Sequence, residues 1–61
     1  MTTEQITVYL DKGERIAQAM HDAARTATEN HDYPRASHLF ERIANLYAHL
    51  DDLAEMYGID R

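Results

Sequence analysis

From Pro34 to Tyr57 the apolar positions run Ala36, Leu39/Phe40, Ile43, Leu46/Tyr47, Leu50, Leu53/Ala54 and Tyr57, a three-four spacing kept through three heptads. Side chains spaced this way fall on one face of an α-helix, so the pattern predicts a single amphipathic helix. Asp32 is a good N-cap, Pro34 suits the first turn, and Gly58 ends the element. Ahead of it, Ile6, Tyr9/Leu10, Gly13, Ile16/Ala17, Met20, Ala23/Ala24 and Ala27 keep the same spacing, with Thr3 or Thr2 as cap and Asn30 suited to the far end. The expected fold is therefore all-α. It is an antiparallel two-helix hairpin over residues 3–30 and 34–57, turning at 31–33, in one domain spanning 1–61. Each helix should be about 35–40 Å long at a rise of about 1.5 Å per residue.

One segment carries a competing signal. Ile6-Thr7-Val8-Tyr9-Leu10 is rich in β-branched and aromatic residues and alternates apolar with polar, and Asp11-Lys12-Gly13 would end a strand. Periodicity held over the longer window outweighs propensity over five residues, which favours the helix. The strand is the alternative.

Folding at residue 32 sets Ala27 near Ala36, Ala23 and Ala24 near Leu39 and Phe40, Met20 near Ile43, and Gly13 near Leu50. Small faces large along the seam, as close packing requires. The stripes are wider than a two-stranded seam needs, because Phe40, Tyr47 and Ala54 flank the leucine line while Leu10, Ala17 and Ala24 flank the other. A chain of 61 residues without cysteine has a core worth only ~3–5 kcal/mol, and self-association is a usual remedy. A twofold dimer forming a four-helix bundle is the expected assembly. Its contact residues, or those for a protein partner, are expected to be Ile6, Tyr9, Leu10, Phe40, Ile43, Tyr47, Leu50 and Tyr57.

Composition narrows the partners. Acidic residues number 11 against 6 basic, a formal net charge of −5, and the cations are scattered. Nucleic acid is thus an unfavourable partner, since phosphate binding rests on clustered Lys and Arg. Asp51, Asp52 and Glu55 gather near a helix C-terminus, where the dipole disfavours them. Either Lys12 or Arg15 of the antiparallel helix offsets this cluster, or it is a surface for a basic partner. No apolar run exceeds three residues, so no membrane span is expected. The start of the chain has neither a signal nor a transit pattern, and a cytoplasmic location is expected.

Candidate chemistry is sparse. His38-x-x-Glu41 and His49-x-x-Asp52 have helical neighbour spacing, but they lie about 16 Å apart along a helix and face away from the seam. Solvated helix faces explain them, and no metal is expected. His21, His31 and Ser37 form no triad, and Gly13 and Gly58 are too far apart for a phosphate loop. The chain reads as a non-enzymatic interaction module without a cofactor: a regulator, adaptor or inhibitor.

Three resemblances bear on this reading. Asp32-Tyr33-x-x-Ala36-x-x-x-Phe40, preceded by Ala23, Ala24 and Ala27, resembles one hairpin of a tetratricopeptide repeat over about half the chain. Met20 and Ala27 depart from that pattern, and with one copy no repeat-type groove is implied. The length, the midpoint turn and the Tyr57-Gly58-Ile59-Asp60 ending are similar to the Rop family of plasmid copy-number regulators. This second resemblance implies a dimeric four-helix bundle. Leu10 and Glu14 stand where that family presents polar and aromatic RNA contacts, so only its architecture carries over. Under the strand alternative, Gln5–Leu10 followed by two helices resembles a ribbon-helix-helix transcriptional regulator. That third resemblance implies DNA reading by Gln5, Thr7 and Tyr9, with Arg35 on phosphate.

Overall fold

The computed structural model describes residues 2–59. Two helices, α1 (Thr3–Glu29) and α2 (Tyr33–Met56), pack antiparallel as a hairpin, 43 Å long and 16 by 15 Å across. The all-α fold follows the periodicity, and each helix stops one residue short of its expected end. The strand alternative is corrected: Gln5, Thr7 and Tyr9 stand within a continuous helix, so the paired strands a ribbon-helix-helix reading needs are missing. The energetics explain this outcome. Ile6, Thr7, Val8 and Tyr9 are weaker helix formers than leucine, at a cost of at most ~0.7 kcal/mol each. Ile6 and Leu10 are buried within the segment, each worth about 1.5–3 kcal/mol.

Both starts are capped by side chains. Thr2 and Gln5 form a reciprocal capping box: the Thr2 amide donates to Gln5 Oε1 at 2.8 Å and the Gln5 amide to Thr2 Oγ1 at 3.1 Å. At α2 the Arg35 amide donates to Asp32 Oδ1 at 3.4 Å, with Pro34 in the first turn. Both ends close by one device. The His31 amide donates to Thr28 O and the Asp32 amide to Ala27 O, just as Gly58 donates to Glu55 O and Ile59 to Ala54 O. These paired bonds define Schellman closures, which place one residue in the left-handed region. That residue is Gly58 (φ 65°) after α2 but His31 (φ 60°) after α1. Asn30, the expected terminator, is the C-cap with φ −88°.

The core is a single seam. Ile6, Leu10, Gly13, Ala17, Ala24 and Ala27 are buried on α1, and Ala36, Ile43, Leu50 and Ala54 on α2. At the open end of the hairpin Ile6, Leu10, Leu50 and Ala54 cluster, with Leu46, Leu53 and Ile59 packed against them. The expected pairing of Gly13 with Leu50 holds closely. A Cβ on Gly13 would stand 2.5 Å from Leu50 Cδ2 and 2.9 Å from Cδ1. Only a residue without a side chain leaves room for that leucine.

Candidate interaction surface

A two-helix hairpin has no interior beyond its seam, so each stripe spills onto two long outer sides. The Tyr9 ring meets His49 edge-on at 6.3 Å, and Ile6, Tyr9, His49, Leu53 and Tyr57 line a shallow apolar groove there. On the opposite side His21 meets Phe40 edge-on at 6.4 Å and Tyr47 at 6.3 Å. Residues seven apart share a face, and this extends each side along the molecule. The Tyr9 side carries Tyr9, Ile16 and Ala23 from α1 and Leu39, Leu46 and Leu53 from α2. The His21 side carries Glu14, His21 and Thr28 opposite Tyr33, Phe40 and Tyr47.

The eight expected contact residues divide accordingly. Ile6, Leu10, Ile43 and Leu50 are packed between the chain's own helices, each at most 4% exposed. Tyr9 and Tyr57 lie together beside the apolar groove, whereas Phe40 and Tyr47 are brought together by His21 on the other side. All four remain well exposed, as does Ile16 at 56%. Ile16, Leu39, Leu46 and Leu53 stand in the sequence stripes but not among the eight expected contact residues. Their signal lay in the columns 9/16/23 and 39/46/53, which a single stripe averages together.

Charge separates the sides as sharply as the apolar residues do. The columns bordering the Tyr9 side are Gln5, Lys12, Ala19 and Thr26 on α1 and Arg35, Arg42, His49 and Met56 on α2; acidic residues join this side only toward the turn, where Asp22 and Asp32 line a recess with Ala23, Thr26 and Arg35. On the His21 side Glu4, Asp11 and Asp51 occupy the corresponding columns, with Arg25 as the cation, and Glu14 stands on the side itself. Arg25 pairs with Asp22 at 3.5 Å, both well exposed, where such a pair adds little stability.

The expected acidic patch is split by the helix. Asp51 points to the His21 side, Asp52 to the margin beyond His49, and Glu55 to the back of α2, all exposed. Ion pairs to these three carboxylates do not occur among the described residues, so offset by Lys12 or Arg15 is not what holds the cluster. His38 and His49 lie outside the seam on the surface of α2, and among the described residues no three His, Cys, Asp or Glu side chains gather at a spacing that could hold a metal. Asp60, part of the expected C-terminal signature, lies outside the described residues. Among the described residues no helix is long and apolar enough to cross a membrane.

No protein-family model matches the chain, and no curated protein or solved structure matches it. The structure itself is an all-helical hairpin.

Proposed function

We propose that this protein is a small non-enzymatic interaction module, a regulator, adaptor or inhibitor that works as a homo-oligomer in the cytoplasm. One observation carries the reading. After the hairpin has closed, Tyr9, Ile16, Phe40, Tyr47 and Tyr57 remain 38–56% exposed along its outer sides. Tyr9, Ile16 and Tyr57 share one side and Phe40 and Tyr47 the other, and grouped apolar residues on a surface mark interaction sites. The short chain supplies the second reason, because joining two hairpins adds the buried area that one seam lacks. A protein partner would meet the aromatic side chains, and those of the carboxylates Asp51, Asp52 and Glu55, that the oligomer leaves uncovered.

Sedimentation equilibrium from micromolar to millimolar chain tests this reading. A mass above that of one chain, together with a Tm that rises with concentration, is the expected outcome. A single-chain mass throughout would refute it.

A further inference from the structure

We infer that self-association uses the Tyr9 side, as a twofold dimer in which the turn of each hairpin lies over the open end of the other. This inference rests on the self-association proposed above and adds the face and the orientation. Size permits it: a side 43 Å long and 16 Å wide projects an area on the order of 700 Å², near the ~800 Å² per partner of a stable interface.

Apolar content selects the side. Ile16 and Tyr9 are exposed there beside the half-buried Leu39, Leu46 and Leu53, whereas the His21 side interleaves its aromatics with Glu14 and His21. A second copy also supplies the charges that the basic margin of the Tyr9 side lacks. Gly13 faces Leu50 across the seam, so the hairpin's midpoint lies near Ala17 and Leu46. A twofold axis there carries the level of Lys12 to that of Asp22 in the other copy, a carboxylate it would share with Arg25, and the level of Arg42 to within two residues of Asp52. Both carboxylates stand one column outside the margin, within reach of the long basic side chains.

Axial charge sets the orientation. In the open half, residues 2–21 and 43–59, Glu4, Asp11, Glu14, Asp51, Asp52 and Glu55 outnumber Lys12 and Arg15, a balance of −4. In the turn half, residues 22–42, four acids face Arg25, Arg35 and Arg42, a balance of −1. Placing both turns at the same end would lay two −4 halves against each other. The opposed arrangement lays each −4 half against a −1 half, a difference that is largest at low salt because Asp11, Glu14, Asp51 and Glu55 lie away from the contact, beyond a screening length of about 8–10 Å.

Sedimentation of three proteins tests the face. Wild type and Phe40→Glu should have the mass of two chains, while Ile16→Glu should have the mass of one at concentrations at least ~100-fold higher, the cost of burying carboxylates at the contact. Ile16 is 56% exposed in the single hairpin, so that variant keeps its helical circular dichroism. The orientation is read separately, from a nitroxide at Glu29→Cys in a chain that has no other cysteine. Opposed hairpins hold the two labels apart by a distance approaching the 43 Å length. Labels within about 20 Å of each other would overturn the orientation. A dimer lost in Phe40→Glu and kept in Ile16→Glu would overturn the face while leaving self-association standing. A wild type that stays a single chain throughout would overturn both.

Discussion

The two halves of the seam solve one packing problem with opposite materials. At the open end, Ile6, Leu10 and Leu50 fill the space between the helices, with Leu46, Leu53 and Ile59 against them. Toward the turn the buried residues are Ala17, Ala24, Ala27 and Ala36, with Ile43. Large side chains bury area, whereas alanines let two helices approach. The difference follows from chain connectivity. Residues beside the turn are near neighbours in sequence, so little loop entropy opposes their contact. Ile6 must meet residues more than 40 positions away, and only the burial of large side chains offsets that cost.

The comparison can be broken most severely at the open end. Leu50→Ala should cost about 2–5 kcal/mol, comparable with the whole stability of a single-seam hairpin of this size. Urea denaturation followed by circular dichroism should then show a chain largely unfolded in buffer at micromolar concentration. Its reverse, Ala24→Leu, adds volume where alanines set the approach and should cost about 1–3 kcal/mol. Near-wild-type stability for this variant would mean that the turn half is not closely packed.

The junction between the halves gives a finer test. Gly13→Ala would add about 1 kcal/mol at an open helical position, but here the new methyl meets the fully buried Leu50. A net loss of about 1 kcal/mol is expected. Pairing it with Leu50→Ala should recover most of that loss, the non-additivity of two side chains in contact, measured as a double-mutant cycle.

The smallest change belongs to the turn. His31 holds φ 60°, where a residue with a Cβ pays about 1–2 kcal/mol. It recovers part through its Nδ1, hydrogen-bonded to the Tyr33 hydroxyl at 2.8 Å. His31→Gly should therefore raise stability by a few tenths to about 1 kcal/mol, or by several degrees in Tm for a chain of this length. Gly58 is already suited to the same conformation after α2, with nothing within 4 Å of the place a Cβ would occupy. Gly58→Ala should lower Tm by a comparable amount.

Much of the architecture was legible because each signal was local or volumetric. Asp32 with Pro34, and Thr2, mark helix starts by satisfying amides that every helix leaves open. Gly13 against Leu50 was readable as a volume match once the fold point was known. The strand alternative at residues 5–10 persisted in the sequence because propensity is judged over a few residues. The burial of Ile6 and Leu10 that decides the matter is supplied by α2. At the candidate surface, Tyr9, Phe40, Tyr47 and Tyr57 were legible as exposed aromatics. Their division between two sides was not, and neither was the contribution of Ile16.

The sequence by itself determined the helical periodicity of both halves, the capping residues and the two apolar stripes, since apolar periodicity and capping chemistry act within a few residues. Tertiary structure decided how far each helix is rotated against the other. Leu10 is thereby buried while Tyr9 stays outside, and Ala54 turns further inward than Leu53. Tertiary structure also placed His31 rather than Asn30 in the left-handed position. Both outcomes are set by contact between the helices: the small residues at Gly13, Ala17 and Ala24 fix how closely and at what rotation the two cylinders meet, and the turn takes whatever backbone conformation closes that geometry.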